Sequence, residues 1–298
     1  MPFTPGRFGP FGGIYSALPP FPGKWRFIDW TARLYCRFGP HDRENFPWPG
    51  NGFSVDLHDR IQRLMWCGSY EPHITRCLKL ILRSGDTFLD VGANIGYHSF
   101  FAAKLVEDPG RVFSFEPDPV LYPRLVHNLS SFPSARAVNA AVCDRDAIGT
   151  FERSFHPTES GWGTLAQVRS LGQGQQISVQ TLTLDSFLQT NGILSVRAIK
   201  LDAEGSEFFA LQGAARLLRD LRPALLFEVS PPLLALAGST PDEIGSLLRD
   251  HNFKLFEISS KGLNPREFPD SSAFSECLAV PAERIGDFLL VQPRSQEG

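Results

Sequence analysis

The stretch from residue 85 to residue 103, GDTFLDVGANIGYHSFFAA, decides the fold. A turn signal, Ser84-Gly85-Asp86, precedes a short apolar run, TFLDVG, that reads as a buried strand ending at Asp90. GANIG, residues 92 to 96, is then a loop, and YHSFFAAKLV predicts a helix that stops near Asp108-Pro109-Gly110. Strand, glycine loop and helix in this order open a Rossmann-like unit.

The alternation continues outward from there. RVFSFE reads as a second strand ending at Glu116, and Asp118-Pro119 supplies an N-cap followed by Pro at the first helical position, predicting a helix through about Leu129. ARAVNAAV is the third strand, VRAIKLD the fourth, SEFFALQGAARLLRDL a helix and PALLFEV the fifth strand. Thr240-Pro241-Asp242-Glu243 has the form of a capping box, starting a helix that ends near His251-Asn252. FKLFEI and DFLLVQ supply two late strands, arriving as a hairpin-like pair. The expected fold is α/β, with a mainly parallel seven-stranded sheet and helices on both faces.

Residues 1 to 23 hold six Pro and five Gly and read as an arm. From Lys24 to Phe38 the spacing places Trp25, Ile28 and Ala32 on one helical face and Arg26, Asp29 and Arg33 on another, which predicts a helix packed on the core; a lid or a membrane-surface helix are the alternatives. The expected organisation is an arm and accessory helix over 1–66, one domain over 67–292 and a tail over 293–298. Within the domain, residues 144–180 are too long for a plain connection and are expected to carry substrate-facing loops, including His156 and Gly161-Trp162-Gly163.

The glycine loop does not match a dinucleotide site. That fingerprint needs G-x-G-x-x-G, and aligned on Gly92 the second and third positions are Asn94 and Tyr97, whose side chains stand where a pyrophosphate must approach the backbone. An NAD-dependent oxidoreductase is disfavoured on those two residues. S-adenosylmethionine carries no phosphate and needs only the backbone room that Gly92 and Gly96 provide. Glu116, 24 residues after Gly92, stands where a carboxylate accepts hydrogen bonds from ribose hydroxyls. A P-loop is excluded, since no G-x-x-x-x-G-K-[ST] occurs.

GDTFLDVGANIGYHSFFAA, VFSFEPDP, IKLDAEGSE with FFALQGA, and RPALLFEV together resemble the FkbM family of methyltransferases, over about Gly68 to Glu228. The resemblance implies a class I methyltransferase fold, S-adenosylmethionine as methyl donor, and O-methylation of a hydroxyl on a sugar or small metabolite. It further implies that Asp90, Gly92, Asn94, Gly96 and Tyr97 line the methionine and ribose region, that Glu116 holds the ribose, and that Ala141 borders the adenine. Tyr70-Glu71-Pro72 matches an element before the first strand, giving Glu71 a supporting role near the methionine end.

Carboxyl ends of parallel strands are where ligands bind in such sheets, which nominates Asp202 and Glu204 after the fourth strand, with Glu228 ending the fifth. An alcohol needs help to lose its proton, so Asp202, Glu204 and His156 are the catalytic candidates; Glu207 reads as a helix N-terminal cap. A divalent metal on Asp202, Glu204 and Glu228 is chemically conceivable but not established by spacing, and no metal is expected.

The 298 residues are 42% hydrophobic and 20% charged, a composition that builds a core. A net charge of −3 without a dense Lys/Arg run lacks the footprint of a nucleic-acid binder, so the expected partner is a small-molecule or glycan acceptor. Ser230-Pro231-Pro232-Leu233 lacks the amide and aromatic with which a nucleic-acid methyltransferase grips a flipped base. Five cysteines without a C-x-x-C pair read as reduced thiols of a cytoplasmic protein, and neither a transmembrane run nor a signal peptide is evident. A non-catalytic binding or scaffold module is the remaining alternative.

Overall fold

A computed structural model of the chain describes residues 23–38, 46–47, 52–153, 163–165, 174–259, 262–267 and 274–289. His156, Trp162, the arm up to residue 22 and the tail from residue 293 lie outside the described residues.

Ahead of the glycine loop stand α1 (Lys24–Phe38), a ribbon of β1 (Phe46–Pro47) and β2 (Ser54–Val55), then α2 (Arg60–Trp66) and α3 (Pro72–Ile81). The helix expected at 24–38 forms, and Asp29 ties it to α2 by accepting from Arg63 Nε at 3.0 Å. The glycine-loop unit is β3 (Thr87–Val91), α4 (Tyr97–Val106), β4 (Arg111–Phe115), α5 (Tyr122–Leu129) and β5 (Ala135–Val138). A second group follows: β6 (Ala141–Val142), β7 (Ala147–Arg153), β8 (Thr164–Leu165), β9 (Gln175–Leu182) and α6 (Leu184–Thr190). The chain then runs through β10 (Ala198–Leu201), α7 (Glu207–Gln212), β11 (Ala224–Val229), α8 (Pro231–Ala237) and α9 (Pro241–Asp250). It closes with β12 (Phe253–Ser259), β13 (Gly262–Arg266), β14 (Ser275–Pro281) and α10 (Ile285–Leu289).

The main sheet has the order β13-β12-β14-β11-β10-β3-β4-β5. From β11 to β5 the strands are parallel; β14 lies antiparallel between β11 and β12, and β13 is antiparallel to β12. The seven-stranded, mainly parallel expectation is therefore corrected to a mixed sheet of eight strands. Side chains alternate between its faces as the pleat requires. Leu89, Val91, Phe113, Phe115, Ile199 and Leu201 meet Leu184 and Phe187 of α6 on one side. Phe88, Val112 and Ala198 meet Leu78 of α3 and Ala102 of α4 on the other. Helices thus cover both faces, and each fully buried Leu or Phe contributes about 1.5–3 kcal/mol.

Three points of local structure differ from the expectation. The last strand differs from the expectation: Ile285–Leu289, which takes in Asp287–Leu289 of DFLLVQ, is helical, and Ser275–Pro281 occupies the slot between β11 and β12. SECLAVP carries few β-branched or aromatic residues, whereas the DFLL run has no period that separates strand from helix. β13 was hidden because Pro265 argues against a central strand; it is tolerated here on the sheet's edge. The helix after Glu116 begins at Tyr122 instead of Pro119, because Asp118 Oδ1 accepts from Val120 N at 2.7 Å and holds a turn first. Within 144–180 the described residues add β7, β8 and β9 to a four-stranded sheet of order β6-β9-β7-β8, while the loop positions His156 and Gly161-Trp162 lie outside the described residues. The capping box at Thr240 and Glu243 forms as its sequence requires.

Candidate functional site

Where β3, β4, β10 and β11 end, a cavity of about 480 Å³ opens, within the ~300–1,000 Å³ range of small-molecule sites. The glycine loop forms one wall. Gly92 adopts φ +74, and a Cβ there would lie 1.8 Å from the Asp202 backbone oxygen, so glycine is what lets β3 and β10 end side by side. Asn94 also sits in the left-handed region at φ +52, with its Oδ1 accepting from Ile95 N at 2.8 Å.

Glu116 ties this loop to β4. Its Oε2 accepts from Asn94 N and its Oε1 from Asp118 N, both at 2.8 Å, which leaves each oxygen capacity for another donor. Burial pushes its pKa up to about 8 despite those bonds. Asp90, a residue of the cavity wall, is almost fully buried; Ser99 Oγ donates to its Oδ2 at 2.5 Å, while its buried Oδ1 has no hydrogen-bond partner.

Lys200, in the middle of buried β10, is paired in register with Asp90 and donates to Asp202 Oδ2 at 2.7 Å. Burial opposes its charge, but Asp202, Glu71 and Asp90 outweigh burial and raise its pKa. Glu71 enters the cavity from a left-handed backbone, φ 38, just before α3. His98 Nε2 lies 2.8 Å from its Oε2. Burial would raise the Glu71 carboxyl, yet the His98 bond, Lys200 and Tyr70 together hold it down at about 2.

The turn after β10 is tightly built. Glu204 is left-handed at φ 49, Thr164 Oγ1 of the small sheet donates to its carbonyl at 2.7 Å, and Gly205, at φ 99, leaves no room for a Cβ beside Leu233. Glu207, expected to cap the helix N-terminus, instead holds the turn before it: its Oε1 accepts from Ala203 N at 2.9 Å and Gly205 N at 3.3 Å, and no side chain caps α7 at Ser206. Burial, then the Asp202 and Glu228 charges, lift Glu204 well above the carboxylate range. Burial and Asp202 push Glu228 up to about 9. Strained backbone and displaced pKa values concentrated in one cavity mark a functional site.

Of the residues nominated from sequence, Glu71, Asp90, Gly92, Asn94, Tyr97, Glu116, Ala141, Asp202 and Glu204 line this cavity. Gly96 does not: it stands at the start of α4, at φ +88, where a Cβ would press on Leu125 at 2.7 Å. His156 lies outside the described residues. Tyr70, of the element Tyr70-Glu71-Pro72, lines the cavity with Glu71, and Lys200, His98 and Phe274 line it without having been foreseen. A lysine flanked by Ile199 and Leu201 carried a signal, since a buried strand tolerates a charge only where a partner waits. Among the described residues no cluster of His, Cys, Asp and Glu has the arrangement to hold a metal, and no helix is long and apolar enough to cross a membrane.

The cavity's chemistry suits a cationic, hydroxylated ligand. It offers carboxylates with spare acceptor capacity, the orphaned Asp90 Oδ1 and an apolar stretch of Phe115, Ala141 and Val142. Its one lysine or arginine among the described residues, Lys200, is already paired with Asp202. S-adenosylmethionine, with its sulfonium, ammonium, ribose and adenine, meets each of these features.

Known proteins agree. The methyltransferase FkbM domain matches residues 90–255. The hexuronic acid methyltransferase AglP of Haloferax volcanii is 25% identical over 182 residues, covering 60% of this chain and 68% of its own. The 31-O-demethyl-FK506 methyltransferase FkbM of Streptomyces tacrolimicus is 28% identical over 199 residues, 58% of this chain and 74% of its own. The 2-O-methyltransferase NoeI of Sinorhizobium fredii is 26% identical over 186 residues, 55% of this chain and 74% of its own. With more than half of its length matched by that domain, the chain belongs to the FkbM family and is an S-adenosylmethionine-dependent methyltransferase.

Proposed function

We propose that this enzyme methylates a hydroxyl oxygen on a sugar or small metabolite. The observation that carries the reading is the placing of Glu204 and Glu228, two carboxyl groups with raised pKa, beside the Lys200–Asp202 pair at the ends of β10 and β11. Two of the three relatives carry O-methylation in their names.

In this reading Glu116 accepts from the ribose hydroxyls, Ala141 borders the adenine, and Asp90 and Glu71 face the methionine end. Gly92, Asn94 and Tyr97 shape the wall between them. When bound there, S-adenosylmethionine would supply an electrophilic methyl group to the acceptor oxygen, the sulfonium becoming the neutral thioether of S-adenosylhomocysteine. Glu204 takes the proton that the hydroxyl loses. Burial and the neighbouring Asp202 and Glu228 charges raise the pKa of Glu204, which strengthens it as a proton acceptor. Asp202, held by the Lys200 ammonium, orients the acceptor instead. Holding the oxygen close and in line supplies much of the remaining rate.

Calorimetric titration with S-adenosylmethionine and with NAD, repeated on Glu116→Ala, followed by methyl-transfer assays on hydroxylated acceptors, tests the reading. The expected result is binding of S-adenosylmethionine alone, weakened by about 1.5–3 kcal/mol in the variant, and transfer to oxygen. Binding without transfer to any hydroxyl would overturn the assignment of oxygen as the methyl acceptor.

A further inference from the structure

β14 runs antiparallel beside β11 with Ser275 opposite Val229, so the chain enters β14 at the carboxyl end of β11. The residue that makes this entry is Phe274. Its ring is 60% exposed, yet it lines the same cavity as Glu204, Glu228, Ser230 and Leu233. The methyl-acceptor side of the cavity therefore combines an uncovered aromatic ring with two carboxyl groups.

We propose that Phe274 is the stacking platform of an acceptor subsite for a neutral pyranose ring, whose hydroxyls are taken by Glu204 and Glu228. The proposal rests on the reading of the preceding subsection and names its acceptor class. A pyranose has an apolar face of C–H groups and a rim of hydroxyls. An aromatic face covers the first with large apolar contact, and carboxyl oxygens accept from the second.

Charge selects among sugars. Glu71, Asp90, Glu116, Asp202, Glu204 and Glu228 all face the cavity, and Lys200, its one basic partner of the lysine or arginine type among the described residues, is engaged by Asp202. A uronate or a sugar phosphate would find no unengaged lysine or arginine among these described residues, and an anion taken from water without a partner costs affinity. A neutral ring meets no such penalty.

The test is saturation-transfer NMR on the protein saturated with S-adenosylhomocysteine, using methyl glycosides of glucose, galactose, mannose and rhamnose beside methyl glucuronide. Phe274→Ala and Phe274→Tyr are measured in parallel, and S-adenosylhomocysteine affinity is followed by calorimetry. The expected result is saturation of ring C–H protons in at least one neutral glycoside, about tenfold weaker binding of it in Phe274→Ala, and recovery in Phe274→Tyr. S-adenosylhomocysteine affinity stays within twofold throughout, because the exposed ring serves the acceptor alone. The subsite is overturned if no neutral glycoside contacts the protein, if Phe274→Ala leaves the contact unchanged, or if the glucuronide binds as well as the neutral sugars. Failure of S-adenosylhomocysteine to bind would instead sink the methyl-transfer reading on which the subsite rests.

Discussion

Lys200 Nζ lies 2.7 Å from Asp202 Oδ2, and in the neighbouring strand Asp90 stands opposite Lys200 in register. One buried ammonium thereby serves three carboxyl groups, since Glu71 also acts on it. Substituting Lys200 by Met should destabilise the protein by about 3–5 kcal/mol, because breaking a buried pair strands its partner charges. Urea unfolding measures this, and adding Asp202→Asn should recover part of the loss. A cost below about 1 kcal/mol would show that the cluster tolerates its own charge.

Two glycines with nearly the same backbone should respond differently to alanine. Gly85 has φ +88 and open space around the missing Cβ, so Gly85→Ala should cost only the left-handed backbone, about 1–2 kcal/mol. At Gly92, φ +74, the new Cβ would collide with the Asp202 carbonyl. Gly92→Ala should cost about 1–3 kcal/mol more through overpacking, and should abolish S-adenosylmethionine binding by parting the ends of β3 and β10. Equal melting temperatures for the two variants would contradict the close approach.

Glu204→Gln separates proton removal from binding. The expected outcome is a fall of about 10²–10⁴-fold in kcat, with S-adenosylmethionine affinity little changed and the acidic limb of the kcat/KM profile lost. If kcat stays within a few fold of the parent, the proton leaves by another route.

Cofactor binding should release protons. Burial holds Glu116 at about 8 and Glu228 at about 9, against an ordinary value of 4.5, so both are largely protonated in the free protein at neutral pH. A net cation entering the cavity lowers those values, so affinity for S-adenosylmethionine should rise with pH through the neutral range. Calorimetry in buffers of different ionisation enthalpy reads the proton count directly, and Glu228→Gln should reduce it.

The same groups set the pH dependence of the free protein's stability. Because Glu116 and Glu228 bind protons more tightly folded than unfolded, their contribution is fully present below pH 4.5 and is lost as pH rises through 8 and 9. Glu71, lowered to about 2, has the opposite sign: its contribution is present above 4.5 and disappears as pH falls towards 2. The melting temperature of the free protein should therefore decline from mildly acidic to alkaline pH, and saturating S-adenosylmethionine should flatten that decline. A melting temperature that climbs steadily to pH 9 would contradict the buried carboxyl groups.

What could be read from the chain was whatever a few neighbouring residues settle among themselves. A strand that runs into Asp90, a left-handed turn at Gly92, a helix opening at Tyr97 and a capping box at Thr240 are local choices, and they form as their residues require. Glu116 and Asp202 were legible too, since the end of a parallel strand is an address that alternation of strand and helix supplies. The remainder depended on pairings between distant segments. Which run took the slot between β11 and β12 is one such pairing: SECLAVP fills it, while Asp287–Leu289 of the more apolar DFLLVQ run is helical. That outcome alone brought Phe274 to the cavity. Lys200 acquired its partners through register with β3 and the turn into α7. The sheet of β6 to β9 likewise set Thr164 against Glu204 across 40 residues of sequence. Non-local pairing is stabilised by burial and hydrogen bonds that exist only once the strands meet, so no local pattern announces it.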